Sequence, residues 1–365
     1  MITRTHIALI LIALGLLSSV LLPFDGLIRI TSKPKAPEAP DSGCTLANQI
    51  LAANLDQPVG ACRAGEGKDS IGIFEDLVLK EPLPYIESEI TIKGNGYTIS
   101  GDNRHRIFVV RKGSLTIENL SMIDGYAKEG GAILALIEGE VTIRSSEIKG
   151  SSAVRGGAIM NRVGSVKLID SIIRDNRAKE QGGGIYNNAE LLIERSSLFG
   201  NRAHDGGAVY NDSKGSVEAI NSTFSGNRAT VRGGALHQRL SDSAELVHVT
   251  IKSNRARYGA GLYSDYGEIS LVNSIITSNH SGNCVAELAV NINNFIYNDA
   301  CDPMLTGDPV LYPSAESAEY FTPGKNSPVI GRAHPDYCPA TDQRGVDRSG
   351  GRSCDLGAIE YAPES

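Results

Sequence analysis

Gly156-Gly157-Ala158-Ile159 is one copy of a short pattern, a glycine pair followed by a small and an aliphatic residue, that returns along the middle of the chain. The first glycines of successive copies stand 26, 26, 24, 27 and 26 residues apart. Self-similarity at this period predicts a solenoid, in which each repeat forms one coil stacked on its neighbours. The copies are Gly130-Gly131, Gly156-Gly157, Gly182-Gly183, Gly206-Gly207, Gly233-Gly234 and the variant Gly259-Ala260-Gly261.

Alignment of the repeats on one asparagine column indicates the secondary structure of each coil. Before Asn201, the apolar residues Leu191 and Ile193 stand two apart, as side chains on one face of a strand do. The next column, Ser196, breaks this alternation, so the chain turns there before Leu198. A further strand follows each glycine pair, and the pattern therefore predicts an all-β, parallel β-helix with three short strands per coil. The column comprises Asn176, Asn201, Asn227, Asn254 and Asn279.

Structural roles account for the asparagine column and the glycine pairs. Asparagine tolerates the left-handed backbone conformation, and stacked amides can bond one another from coil to coil. Glycine supplies turn conformations that a Cβ atom would block. These two columns therefore predict the register of the solenoid rather than its chemistry.

The composition limits the classes of partner. The chain has 365 residues, 35 Lys and Arg against 42 Asp and Glu, and a net charge of -7. An acidic chain without a dense basic cluster in its sequence is not typical of a nucleic-acid-binding protein. A length of this size can form one long solenoid with a large buried core.

The cysteines predict disulfide bonds and an oxidising compartment. Six cysteines form three close pairs outside the glycine repeats, and no CxxC spacing favours zinc. We therefore expect disulfides and no metal site. The expected pairs are Cys44 with Cys62, Cys284 with Cys301, and Cys338 with Cys354.

The N-terminal region predicts export. Residues 1–24 contain an early arginine followed by an apolar run, which is typical of a signal peptide or of an uncleaved signal anchor. Residues 25–43 include a Pro-rich polar stretch and are interpreted as a linker. The protein is expected to be extracellular or at the cell surface, either released or tethered by an N-terminal membrane anchor.

The rest of the chain divides into three predicted regions. Residues 44–84 form an N-terminal cap, in which Thr45 is the expected N-cap of a helix. Residues 85–300 form the β-helix, and residues 301–365 form a C-terminal cap. The predicted buried face of the capping helix comprises Leu46, Ile50, Leu51 and Leu55.

An aromatic column is the first candidate ligand-binding site. Alternation along the strand after each glycine pair places this column on the outside of the solenoid, where rings can stack on sugars. The alternative is that the rings stack only to stabilise a sheet face. The column begins at Met160 and continues with Tyr186, Tyr210, His237 and Tyr263; polar residues follow it at Asn161, Asn187, Asn211, Gln238 and Ser264.

An arginine column is the second candidate site. Each arginine follows one of the turn asparagines, and a row of outward guanidinium groups can hold an anionic polymer. The alternative is a set of solvated charges that prevents edge-to-edge aggregation. The column comprises Arg177, Arg202, Arg228 and Arg255, with His280 in the next position.

An enzyme is the competing hypothesis. A glycosidase needs two spaced carboxylates, and a lyase acting on a uronate needs a base with charge neutralisation, often by Ca²⁺. The closest acidic pairs are Asp170 with Asp175 and Asp205 with Asp212, and neither forms a dense cluster. The catalytic residues of such an enzyme are therefore unknown, and Ca²⁺ is considered only for the lyase.

The ends of the chain resemble known domains. Cys44-Thr-Leu-Ala-Asn-Gln-Ile50, followed by Cys62-Arg-Ala-Gly-Glu-Gly-Lys-Asp69, resembles the CSLREAI domain, although Ala47-Asn48-Gln49 replaces its central R-E-A. Asp342-Gln-Arg-Gly-Val346, with Cys354-Asp-Leu-Gly-Ala-Ile-Glu360, resembles the choice-of-anchor Q domain. The glycine repeats are similar to those of bacterial secreted β-helix proteins, including the polymorphic outer-membrane protein group.

This resemblance implies an exported bacterial protein with a right-handed, single-stranded parallel β-helix of the pectin-lyase type. It implies no activity, because these families are defined by architecture and anchoring. Since such proteins usually carry a C-terminal anchor and no apolar tail precedes Ser365, the resemblance favours Ile7–Phe24 as the anchor. In the C-terminal motif we expect ion pairs and turn hydrogen bonds from Asp342, Arg344, Asp355 and Glu360.

The expected function is that of a non-catalytic surface or secreted β-helix that binds polysaccharide or mediates surface contact. No cofactor is expected, and the expected partner is a polysaccharide or another cell-surface component. The first alternative is a lyase, epimerase or hydrolase acting on an acidic glycan. The second is a passive adhesin-like stalk.

Overall fold

The computed structural model describes residues 43–240, 243–297, 301–314, 319–348 and 353–362. The predicted signal or anchor segment, residues 1–24, lies outside these ranges, as does nearly all of the predicted linker. None of the helices within them is long and apolar enough to cross a membrane.

The described chain forms a parallel β-helix, which confirms the predicted fold class. Two sheets of ten strands run along the solenoid. The strands of the first sheet are Lys68–Gly72, Glu89–Lys93, Ser114–Glu118, Glu140–Arg144, Ser165–Ile169, Glu190–Glu194, Ser216–Ile220, Ala244–Val247, Ile269–Val272 and Leu288–Ile292. Those of the second are Leu77–Val78, Thr98–Ser100, Ser121–Ile123, Glu147–Lys149, Ile172–Arg174, Ser197–Phe199, Thr223–Ser225, Thr250–Lys252, Ile275–Thr277 and Phe295–Ile296.

Two further sheets flank the glycine pairs. The corner sheet has eight strands, most of them directly after a glycine pair: Phe108–Val110, Ile133–Ala135, Ile159–Asn161, Ile185–Asn187, Val209–Asn211, Leu236–Gln238, Leu262–Ser264 and Cys284–Val285. The groove sheet has four strands, each directly before a glycine pair: Ser152–Arg155, Arg177–Gln181, Arg202–Asp205 and Arg228–Arg232. The groove sheet adds a fourth strand to the central coils that the column alignment did not anticipate.

Like residues stack on like residues throughout the core. In the first sheet, Leu191 pairs with Val166 on one side and Val217 on the other, and all three side chains are buried. Burying one such aliphatic side chain contributes roughly 1.5–3 kcal/mol. The repeated apolar columns therefore supply one continuous core along the axis, as the alignment predicted.

The two glycines of each pair are required for different reasons. Gly182 has a φ of 67°, a left-handed conformation that side chains with a Cβ rarely adopt. Gly183 lies so close to the next coil that a Cβ atom would collide with the backbone carbonyl of Gly207. The first glycine thus makes the turn, and the second allows the coils to stack at that turn.

The asparagine column forms a buried hydrogen-bonded ladder. The side-chain oxygen of Asn201 accepts bonds from the backbone nitrogen of Asn176 at 3.1 Å and from its side-chain amide at 3.0 Å. The Asn201 amide in turn donates to Ile173 O and to Asn227 Oδ1. The predicted ladder is therefore confirmed, but the left-handed backbone belongs to the preceding residue in one coil, Asp175, with a φ of 55°.

A helix covers the N-terminal end of the solenoid. It spans Leu46–Leu55, and the hydroxyl of Thr45 accepts a hydrogen bond from Asn48 N as the predicted N-cap. Ile50 and Ala53 are buried in the main core. The predicted face is wrong in part, because Leu51 and Leu55 are exposed. The helix contacts the solenoid through a narrower stripe that uses the small Ala53.

Three disulfide bonds join the cysteines as predicted. Cys44 is bonded to Cys62, Cys284 to Cys301, and Cys338 to Cys354. Each closes a loop of 16 to 18 residues outside the glycine repeats. In the chain-entropy account, a loop of this length contributes about 3 kcal/mol by restricting the unfolded chain.

The C-terminal region folds back along the side of the solenoid. Its elements are the antiparallel pair Leu311–Pro313 and Phe321–Pro323 and the 3-10 helix Pro335–Tyr337. Residues 319–348 and 353–362, here called the strap, lie over the second sheet. The Gln343 side chain bonds to Ser197 Oγ at 2.7 Å and to Thr223 Oγ1 at 2.6 Å, several coils before the end of the solenoid.

Ion pairs and turn bonds hold the strap together, as the C-terminal motif predicts. Asp342 is fully buried and accepts bonds from the guanidinium of Arg344 and from the backbone nitrogens of Val346 and Glu360. Arg348 joins the strap to the solenoid, since its guanidinium donates to Glu360 Oε2 at 2.8 Å and to Asn221 Oδ1 at 3.0 Å. These charged groups therefore hold the strap together and attach it to the solenoid.

Replacing Asn201 with alanine should strongly destabilise the solenoid. The change leaves the buried backbone N–H of Asn176 without its acceptor and interrupts the ladder. We expect the free energy of unfolding to fall by about 2–4 kcal/mol, measured by urea denaturation. Asn188→Ala is the control, because its side chain makes one exposed bond to Arg162 O and should cost less than about 1 kcal/mol. Equal effects of the two changes would contradict the ladder's importance.

Stability should fall on mild acidification because of His248. Burial, and then the charge of Arg348, lower the pKa of His248 well below the ordinary 6.5. The unfolded chain therefore binds this proton more readily, so the stabilisation is complete above pH 6.5 and is lost as the pH falls below it.

In the pH dependence of urea denaturation, one such histidine contributes a slope of up to about 1.4 kcal/mol per pH unit. We expect His248→Gln to reduce the slope below pH 6.5. Some slope should remain, because burial also lowers the pKa of His237. An unchanged slope in His248→Gln would contradict the assignment.

Candidate functional site

The aromatic column does point away from the core, but it is buried. Relative exposures are 6% for Tyr186, 3% for Tyr210 and 1% for His237, while Tyr263 is partly exposed. The prediction of an exposed aromatic row is therefore wrong for three of its four members. A sugar ring has no open aromatic face to stack on at these three positions.

The glycine turn explains this burial. The chain bends so sharply between the groove sheet and the corner sheet that side chains from the two sheets meet. The Arg155 guanidinium carbon lies 5.7 Å from the centre of the Tyr186 ring, and that of Arg232 lies 5.8 Å from the centre of Tyr263. Side chains of the groove sheet thus cover the aromatic row.

Within this corner the rings contact one another from coil to coil. Tyr186 and Tyr210 are stacked with ring centres 5.3 Å apart. Tyr210 and His237 meet edge to face at 4.8 Å, as do His237 and Tyr263 at 5.1 Å. Such pairs contribute about 0.5–1.5 kcal/mol each beyond the area that they bury. The alternative interpretation, that the rings stabilise a sheet face, agrees with this geometry.

The polar residues after the aromatic column are also inside the solenoid. Asn161, Asn187, Asn211 and Gln238 are fully buried. The Asn161 amide donates to Asn187 Oδ1 and the Asn187 amide to Asn211 Oδ1, each at 2.7 Å. These residues therefore form a second internal ladder and cannot orient a ligand on the outer surface.

Charged groups in the corner form hydrogen bonds and ion pairs with one another. Asp205 accepts bonds from Arg232 at 3.1 and 3.2 Å, and Asp265 Oδ2 lies 3.0 Å from His237 Nε2. Burial alone would raise the pKa of Asp205, but the hydrogen bonds from Arg232 and His204 and the Arg232 charge hold that pKa below its usual value. Burial and the hydrogen bond to Asp212 raise the pKa of Tyr186.

The acidic pairs considered for catalysis are separated by their own partners. Asp170 binds the guanidinium of Arg195, and Asp175 binds that of Arg174. Asp205 binds Arg232, whereas Asp212 accepts from Tyr186 and lies 3.0 Å from Arg239 Nη1. Neither pair forms a two-carboxylate site in the described structure.

The arginine column, by contrast, lies in the open. Arg177, Arg202, Arg228 and Arg255 are all exposed. Arg177 pairs with Arg202, Arg202 with Arg228, and Arg228 with Arg255 across parallel strands, so the row rises by about 4.8 Å per coil. No described carboxylate lies within ion-pair distance of these four guanidinium groups. We call them the arginine row.

Arg177, Arg202 and Arg228 of the arginine row line a groove with a volume of about 1300 Å³. Its neighbours are also basic: Lys128 and Lys179 line the same groove, and Asp175 is its single acidic lining residue. Between the outward rows, Ala178 and Ala203 point inward and are buried. A strand with alternating arginine and alanine thus presents only polar side chains to solvent.

The column alignment did not identify the lysines and the tyrosine that line this groove. Lys128 and Lys179 form part of a second outward row, two positions after the first, and Tyr126 continues the arginine row towards the N-terminus through Ser152. The two-residue spacing of Arg177 and Lys179 was visible in the sequence. It could be interpreted only once the segment after Asn176 was known to be a strand.

A comparison with known protein families supports the repeat type. Residues 221–238 match the Chlamydia polymorphic membrane protein (Chlamydia_PMP) repeat, a stretch that includes Arg228 and one glycine pair. No match is found among curated protein sequences. A solved structure described as the complex of XylC with xylose is similar over 80% of this chain and 68% of that chain, with 9% identity and a TM-score of 0.39.

Replacing Tyr210 with alanine should destabilise the protein, because the ring is buried between Tyr186 and His237. We expect a loss of about 3–5 kcal/mol in the free energy of unfolding, measured by urea denaturation. Tyr266→Ala, which removes a ring that is 86% exposed, should change stability by no more than about 0.5 kcal/mol. A similar small effect at Tyr210 would show that the row is not packed.

Proposed function

We propose that this chain is a surface-exposed bacterial β-helix protein that binds an acidic polysaccharide along the arginine row. The repeat match and the solenoid support the surface-exposed class of protein. The observation that carries the ligand class is the unbroken row of exposed arginines, in register on successive coils and without described ion-pair partners.

The arginine row lowers the stability of the folded protein, because its like charges repel one another without described carboxylates to neutralise them. Two like charges separated by about 4.8 Å repel by roughly 1 kcal/mol in water. Some neighbouring coils avoid this cost by pairing opposite charges, as Glu129 does with Arg155. A bound anion would relieve the repulsion along the whole row, which supports a binding role over that of solvated surface charges.

The shape of the site favours a polymer. The row extends over four coils, and three of its arginines line an open groove. Each exposed ion pair contributes only about 0.2–1 kcal/mol, so useful affinity requires several contacts at once. A chain with repeated carboxylates or sulfates can meet successive guanidinium groups, each of which offers a planar pair of donors.

In this proposal the two candidate columns have different roles. Arg177, Arg202, Arg228 and Arg255 contact the ligand directly. Tyr186, Tyr210 and His237 support the corner beside the groove and do not touch the ligand, because their rings are covered. Tyr263 is partly exposed at the end of the aromatic row and lies under Arg232, away from the groove lining.

Removing two arginines should weaken binding to an acidic polysaccharide. We expect Arg202→Ala with Arg228→Ala to lower the affinity for polygalacturonate or dextran sulfate by about 2- to 30-fold at low salt. Binding measured by isothermal titration calorimetry should also weaken as salt is added, because exposed charges are screened. Neutral dextran should not bind.

The matched control removes two exposed arginines elsewhere, Arg63→Ala with Arg144→Ala, and keeps the same net charge as the test variant. This control should bind as the wild type does. An equal loss of affinity in both variants would indicate nonspecific electrostatic attraction rather than binding in the groove. If no acidic glycan binds the wild type, the proposal is overturned. New unsaturated sugar ends in the same samples would instead indicate a lyase.

A further inference from the structure

An exposed tyrosine stands at the N-terminal end of the arginine row. Tyr126 pairs with Ser152, and Ser152 pairs with Arg177, so the ring occupies the same outward row two coils before the first arginine. Its relative exposure is 53%, and it lines the groove together with Lys128 and Ser152. It is the one tyrosine in the lining of this groove, where the His204 ring is the other aromatic group.

Tyr126 differs from the other tyrosines near the glycine turns. Tyr186 and Tyr210 pack against rings, and the Tyr258 ring lies 5.3 Å from the Arg257 guanidinium carbon. Among the described residues, no ring or cation packs on Tyr126. Single exposed aromatic residues are common on protein surfaces, so exposure alone indicates nothing. The place of this ring, in register with the arginine row and in the groove that Arg177, Arg202 and Arg228 line, is the informative observation.

The neighbouring side chains leave room for a ligand over this ring. Ser152 separates Tyr126 from Arg177 in the row, and its short side chain does not fill that level of the groove. Lys128 lies two residues along the same strand direction and offers a donor beside the ring. An apolar ring face with a polar rim is the arrangement that binds a sugar, whose C–H face packs on the ring while its hydroxyls bond to the rim.

We propose that Tyr126 is a sugar-stacking platform that makes the groove selective for acidic polysaccharides over anionic polymers that lack sugar rings. This inference rests on the proposed function. The arginine row holds any flexible polyanion by charge, whereas Tyr126 adds contact only with a pyranose ring. Tyr126 is therefore a specificity-determining residue, and the aromatic contact predicted for the buried column is supplied by a different residue.

The test compares two polyanions on the same variants. Oligogalacturonate carries charges on sugar rings, and inorganic polyphosphate carries charges without rings. We expect Tyr126→Ala to lower the affinity for oligogalacturonate by about 3- to 10-fold and to leave that for polyphosphate unchanged, measured by calorimetry at one salt concentration. Tyr126→Phe keeps the ring and should bind both probes as the wild type does.

Two controls separate this inference from the proposed function. Tyr266→Ala removes a more exposed tyrosine outside the groove lining and should change neither affinity. Arg202→Ala with Arg228→Ala should weaken both probes, because both are held by charge.

Each contrary result has a distinct meaning. If Tyr126→Ala binds oligogalacturonate as the wild type does while the arginine variant is impaired, the platform is overturned and the proposed function stands. Equal losses of both probes in Tyr126→Ala, or an equal loss in Tyr126→Phe, would also overturn the platform. If the wild type binds polyphosphate but not oligogalacturonate, both the platform and the polysaccharide assignment are overturned. If it binds neither probe, the groove is not a binding site for polyanions.

Discussion

The close approach of adjacent coils at the second glycine of each pair is the constraint on which the rest of the structure depends. Gly183 has no space for a Cβ atom beside the Gly207 carbonyl, so these two coils can approach this closely only with glycine at position 183. Since glycine occupies this position in five of the six copies, with Ala260 in the last, this contact aligns each coil with the next. Every column of the solenoid, buried or exposed, follows from that alignment.

Alignment of like residues has opposite consequences inside and outside. Inside, it stacks aliphatic side chains and lets Asn176, Asn201 and Asn227 satisfy one another in a ladder. Outside, it places equal charges one strand spacing apart. In the corner beside the glycine turns the chain alternates the signs, as in Asp205 with Arg232. In the groove it does not, and this contrast supports the proposal that the arginine row binds a ligand.

The outer faces of the solenoid are therefore treated differently by the fold. The strap covers the side of the solenoid from Ser197 to Asn273 through polar bonds, including one from Arg348 to Asn221. The corner is filled by its own aromatic and charged side chains. The groove sheet remains open and carries cations that no described carboxylate neutralises, together with the exposed ring of Tyr126.

The sequence alone determined the fold, because the fold depends on patterns that run along the chain. These are the repeat period, the alternation of apolar residues and the spacing of the cysteines, which relate residues near in sequence or at equivalent positions of adjacent coils. It also identified Arg177, Arg202 and Arg228 as an outward row.

The sequence could not show that Tyr186 and Tyr210 are buried, because alternation distinguishes only the two faces of a strand. Whether an outward face meets water depends on the angle at the glycine turn, which brings Arg155 and Arg232 over the rings. The return of Gln343 to Ser197 likewise joins residues 146 positions apart, and no local pattern encodes that contact. Only the tertiary structure could therefore decide which outward row is a surface and which is a second core.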